Sequence, residues 1–134
     1  DDTTNDDEYV ELSRLFMAPG WQPTLNMSYG ATLGVQTDTT AERSLGGVDY
    51  YDRQDGRRTA QFTISPLAEN EALSQAFEMQ RRLGIDRQIF FVWDPADSAN
   101  LHRRSFLATM RELTPLEFPY NDLATVAFSL QEVL

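Results

Sequence analysis

The chain contains no cysteine and no lysine, and only one histidine, His102. The first absence removes disulfide scaffolds, thiolate zinc sites and thiol nucleophiles together. The single histidine excludes a histidine-rich metal centre. All 11 basic residues are therefore arginine, set against 21 acidic ones, for a formal net charge of −10. An all-arginine complement fits a GC-rich coding sequence, and it also fits interfaces, because the planar guanidinium fork suits interfacial ion pairs better than an ammonium. Long apolar runs are missing too. No stretch approaches the roughly 18 residues of a membrane span, and no signal-peptide pattern is present, so no membrane partner is expected. The negative balance disfavours nucleic acid as a ligand of the whole surface, since phosphate binding needs a basic footprint.

What is present is 134 residues with 41% hydrophobic and 24% charged content, enough for one domain with a real core. Five carboxylates fall in the opening DDTTNDDE, which leaves the rest at 16 against 11, a net −5. Residues 1–8 hold no apolar side chain and read as a flexible acidic arm. Residues 9–134 read as a single β-rich domain.

Alternation of Leu25, Met27 and Tyr29 with Thr24, Asn26 and Ser28 predicts a half-buried strand ended by Gly30. Residues 38–44 are polar and read as a loop. A short aromatic stretch, residues 48–51, leads through Asp55-Gly56 to a second alternating run over 57–64, with Tyr51 and Arg57 as the two arms of a hairpin. Ser65-Pro66 reads as a helix start, and Ala72, Leu73, Ala76, Phe77, Gln80 and Leu83 form an apolar stripe, giving a helix over 66–83 that Gly84 stops. Its acids come early and its arginines late, which suits the helix dipole. The unbroken apolar run 89–93 predicts a strand buried on both faces at the centre of the fold. Residues 94–101 read as a loop of Asx-turn type. Weak alternation follows over 104–110, and Ala124, Val126, Phe128 and Leu130 give a closing strand with one dry face and one polar face. The order predicts an α+β fold, mainly β: an antiparallel sheet or β-sandwich with one helix packed against it.

No catalytic residue emerges. His102 has neither a nucleophile elbow nor a partner acid at a recognisable spacing. Asp49, Asp52 and Asp55 recur every third residue, but without the glycine and terminal glutamate of a calcium loop, so they read as a solvated rim and no metal is expected. Asp94 and Asp97 read as turn residues. No cofactor fingerprint is present; Gly46-Gly47 lacks the rest of any nucleotide-binding motif. The two arginine pairs, Arg57 with Arg58 and Arg103 with Arg104, read as interface residues. So does the polar face of the last strand, Thr125, Ser129 and Gln131. Among the aromatics, Trp21 lies in a loop-like setting and is the candidate ligand-stacking residue of a carbohydrate-binding β-sandwich, a module of a virion or surface protein.

Four stretches carry a resemblance: LGGVDYYDRQDGRR (45–58), SPLAENEALSQAFEMQRRLG (65–84), IFFVWDPAD (89–97) and the closing VAFSLQEVL (126–134). In order and texture the chain over residues 21–134 resembles minor structural proteins of long-tailed bacteriophages, particularly the distal tail and tail-tube class. That resemblance implies a virion tail subunit that self-assembles into a ring, commonly a hexamer, contacts other tail or baseplate proteins, and meets DNA only as passing cargo. An acidic lumen would suit that passage by repelling phosphate. The loops 37–44 and 94–101 would then order on contact with neighbours.

Overall fold

A computed structural model describes residues 15–134. The acidic arm at 1–8 and the domain start at residue 9 lie outside the described residues. The fold is α+β and mainly β, as the residue pattern predicts: an antiparallel sheet with one main helix of 15 residues.

The sheet comprises β1 (Thr32–Gln36), β4 (Arg57–Ala68), β5 (Gln88–Val92), β6 (Ser105–Met110), β7 (Glu117–Tyr120) and β8 (Leu123–Glu132). Its order is β1-β4-β8-β6-β5, with β7 paired to β8. Alternation decides its faces. Ala60 lies opposite Leu130, Phe62 opposite Phe128 and Ile64 opposite Val126, while Met110 lies opposite Leu130 and Ile89 opposite Ala108. These side chains share one face, and helix α1 (residues 69–83) covers it. Ala60, Ile64, Leu67, Phe106, Ala108, Met110, Ala124, Val126, Phe128 and Leu130 form the core with Ala72 and Ala76 of the helix. The middle of α1, Ala72–Phe77, is a π-helical segment. Its i→i+5 bonds put more residues in each turn than an α-helix holds, so residues four apart stay in line. Ala72, Ala76 and Gln80 are accordingly the buried ones, whereas Leu73 and Phe77 of the predicted stripe remain exposed. Gly84 ends the helix at φ 55°, a left-handed conformation that glycine adopts without steric cost.

The helix begins at Glu69 and not at Ser65-Pro66, which corrects the predicted start. Ser65 is occupied within the sheet: its hydroxyl pairs with that of Thr125 at 2.8 Å, and its carbonyl accepts a bond from Ser28 Oγ at 3.2 Å. The irregularity between Ile64 and Leu67 absorbs Pro66, which has no amide to give to a ladder. The first helical amide, Glu69 N, donates instead to the Asp122 carbonyl at the β7–β8 turn.

Three further expectations are corrected. Residues 24–29 form no strand, because side chains take their polar groups: Thr24 bonds Glu71, and Asn26 Oδ1 accepts from the Met27 amide. The hairpin of Tyr51 with Arg57 does not form. In its place β2 (Thr40–Arg43), inside the predicted loop, pairs with β3 (Asp49–Asp52) as a separate two-stranded ribbon inserted between β1 and β4. Finally, β5 is the last strand of the sheet and not its centre. Ile89 and Phe91 face the core, whereas Phe90 and Val92 face outward, 54% and 37% exposed. The centre is β8, which the predicted alternation of dry and polar positions describes well.

Truncating the core at its centre should be costly. Val126→Ala and Met110→Ala are expected to lower the unfolding free energy by about 1–4 kcal/mol, while Leu45→Ala in the exposed ribbon should change it by less than about 0.5 kcal/mol. Urea denaturation of the three variants measures this directly.

Candidate interaction surface at one end of the sheet

The connection from β1 to β4 carries the β2–β3 ribbon, and the connection from β5 to β6 carries the short helix α2 (Leu101–Arg104). Antiparallel pairing puts both at the same end of the sheet. Arg57 opens β4 beside Gln36, the last residue of β1, and β4 begins where β8 ends, with Glu132 opposite Ala108 of β6.

Arg58 joins the two connections. Its Nη2 donates to Glu132 Oε1 at 2.5 Å, and its backbone amide donates to Glu132 Oε2 at 2.9 Å. Nη1 reaches the carbonyls of His102 (2.7 Å) and Ser105 (3.2 Å), at the C-terminal end of α2, where a cation meets the negative end of a helical turn. The guanidinium also lies 5.0 Å from the centre of the Phe106 ring. Both partners respond. The hydrogen bond from Arg58 holds the Glu132 carboxyl below its ordinary range against the opposing effect of burial, and the bond to Glu132 raises the Arg58 guanidinium.

Of the sequence-predicted interface residues, Arg57, Arg58, Arg103 and Arg104 therefore converge at this end, in different states. Arg58 is engaged within the chain. Arg104 lies 3.7 Å from Asp97, and Arg103 bonds the Asn100 side chain at 3.1 Å. Among the described residues neither Arg57 nor Arg103 has a carboxylate within ion-pair distance. The predicted Asx turn is present, with Ala96 N bonded to Asp94 Oδ1 at 3.0 Å. His102 sits on α2, exposed, and lines a groove with Ser98 and Ser105.

The polar residues of β8 are distributed differently. Thr125 lies at the opposite end, bonded to Ser65. Gln131 sits on the face away from the helix, between Thr59 of β4 and Thr109 of β6. Ser129 is 7% exposed at the floor of a shallow hollow flanked by Tyr29, Gln61 and Glu112. Trp21 lies on the other face. Its ring meets Phe128 edge-on at 6.5 Å, and its Nε1 donates to Glu71 Oε1 at 3.2 Å. Glu71 also accepts from the amide and hydroxyl of Thr24. Burial raises the Glu71 carboxyl, but these bonds together outweigh it and leave the group below its ordinary range. Trp21 thus seals the edge of the core.

Two features escaped sequence reading. One is the ribbon, exposed at every strand position. Its base is latched by Thr37 and Thr39, whose hydroxyls donate to the Gln54 carbonyl at 3.1 and 3.2 Å. The other is an open groove of about 690 Å³ beside β5, lined by Phe90, Val92, Pro95, Ser98, Leu101, His102 and Ser105. The doublet Tyr50-Tyr51 between polar residues was the available signal for the ribbon. Three aspartates, Asp49, Asp52 and Asp55, belong to it or its base, and Asp49 pairs with Arg43 at 3.3 Å.

No protein-family model matches the chain, and no curated protein is significantly similar to it. Among the described residues no helix is long and apolar enough to cross a membrane.

Removing Arg58 should loosen this end of the sheet. Arg58→Ala is expected to cost about 2–3 kcal/mol, the scale of hydrogen bonds to charged groups. The pH dependence has a definite sign. An unfolded glutamate titrates near about 4.3, and Glu132 titrates lower in the folded chain. Its stabilisation is therefore complete above the unfolded value and disappears as the pH falls through the folded one. Glu132→Gln should show a smaller loss of stability between neutral and acid pH than the native chain, as read from urea midpoints across that range.

Proposed function

We propose that the chain is a virion structural protein of a phage tail: a ring-forming distal-tail or tube subunit that works by self-association and by contact with other tail or baseplate proteins, leaving a passage for DNA. The observation that carries this reading is the β2–β3 ribbon. A two-stranded hairpin is marginally stable alone in water. This one presents Leu45, Val48, Tyr50 and Tyr51 to solvent with no sheet or helix over them. Large apolar side chains concentrated on a protruding element belong to contact surfaces. Phe90, Val92 and Leu101 add a second exposed apolar surface beyond the far edge of the same sheet.

Two distinct contact surfaces on one subunit favour head-to-tail association, which gives rings when the rotation closes. The acidic balance of the chain suits a lumen through which DNA moves without adhering. A carbohydrate-binding module built on Trp21 gains no comparable support, because that ring is held by Phe128 and Glu71.

Light scattering on the purified chain over a range of concentrations tests the proposal. The expected result is a discrete multiple of the chain mass, a hexamer for a six-membered ring, or a monomer recruited into a larger particle by co-purified tail proteins. A monomer that joins nothing contradicts it, and saccharide binding by such a monomer, lost on Trp21→Ala, would establish the carbohydrate reading instead.

A further inference from the structure

Resting on the self-association proposed above, we propose how neighbouring copies engage: the tip of the β2–β3 ribbon of one copy seats in the groove beside β5 of the next. The two surfaces are complementary in kind. The ribbon tip is a turn in which Ser44 N donates to the Val48 carbonyl at 2.8 Å and Gly47 takes φ 84°, and it projects Leu45 and Val48 into solvent. The groove takes most of its wall from Phe90, Val92, Pro95 and Leu101, with Ser98, His102 and Ser105 among them and the Phe16 ring 6.4 Å from that of Phe90. Burial of Leu45 and Val48 against them removes apolar area on both partners from water.

Charge follows the same division. Residues 38–55 carry five carboxylates against two arginines, a net −3. Only Asp49 among those carboxylates has an ion-pair partner among the described residues, Arg43. The segment 94–104 beside the groove balances Asp94 and Asp97 against Arg103 and Arg104; Arg104 lies against Asp97, and Arg103 is exposed with no carboxylate partner among the described residues. Glu42, two residues before the tip turn and opposite Tyr50, is the carboxylate placed to meet it. At the groove, Ser105 Oγ is buried and has no hydrogen-bond partner among the described residues.

A contact of ribbon with groove joins two different surfaces, and used in one direction it is head-to-tail. The ribbon leaves from the β1 side of the sheet and the groove lies at the β5 side, at the same end. Each copy gives its tip to one neighbour and takes the tip of another, which leaves one ribbon and one groove open until a ring closes; reciprocal exchange between two copies would instead close as a dimer and give no longer cross-linked species.

Cysteine cross-linking tests the seating, since the native chain has no thiol. Chains carrying Leu45→Cys are mixed with chains carrying Ser98→Cys, a near-isosteric change at the groove, and treated with a short bis-maleimide. The expected product is a covalent dimer. The doubly substituted chain should give a ladder of covalent oligomers, and Leu45→Cys mixed with Asn70→Cys on the helix should give none. Leu45→Asp should weaken association by about tenfold or more in light scattering. Assembly without the Leu45–Ser98 product, or with equal cross-linking to Asn70, overturns the seating and leaves the assembly reading standing. A chain that stays monomeric at all concentrations and with co-purified partners overturns both.

Discussion

The guanidinium of Arg58 is the group on which this end of the molecule depends. It ties the first residues of β4 to the last residues of β8 through Glu132, holds carbonyls at the C-terminal end of α2, and lies over the Phe106 ring. Without it, the carbonyls of His102 and Ser105 and the Glu132 carboxylate would each need water at a half-buried site, a costly arrangement for charged and polar groups. With it, the connection that carries α2 is fixed relative to the strand from which the ribbon grows. Electrostatics alone would give little here, as it does in the exposed pair of Arg81 with Glu78 on the helix. The difference lies in burial and in the number of acceptors one side chain serves.

That anchoring separates two kinds of surface. The helix-covered face is a closed core of alternating strand residues, and its polar margin is sealed by Trp21 and Glu71. The end of the sheet is the opposite: a ribbon without a covering layer, an apolar groove and arginines without carboxylate partners among the described residues. Elements with few buried contacts and solvent-exposed backbone bonds lie at the low end of local stability, where binding elements are found. The proposed phage-tail role draws on this division of the molecule into a closed core and an open end.

Much of the fold was legible in the sequence where one physical signal acted alone. Alternation marked β8 and the inner part of β4, and Gly84 marked the helix end. The pattern misled where two explanations shared it. An unbroken run such as Ile89 to Trp93 describes a strand buried on both faces, but it equally describes a terminal strand whose second face is partly open; Phe90, beside the Phe16 ring, and Val92 take the second course. Ser65-Pro66 carries the marks of a helix cap, yet a hydroxyl across the sheet on Thr125 competed for Ser65 and won. Of the site, the arginines were visible as pairs, but their convergence was not, because the strand order that brings residues 57–58 to residues 102–105 is a property of long-range pairing. The β2 and β3 strands, apart from the Tyr50-Tyr51 doublet, carried no alternation of dry and polar positions to mark them.

The central claim is that the ribbon is an element stabilised by contact while the sheet is stable by itself. Amide hydrogen exchange resolved by residue, on dilute and concentrated samples, tests it most directly. The account predicts that Phe62, Val126 and Phe128 are protected at both concentrations, whereas Glu42, Tyr50 and Tyr51 exchange rapidly when dilute and become protected as the chain associates. Ribbon amides as protected as the core in dilute solution, or indifferent to concentration in a sample that does associate, would contradict it.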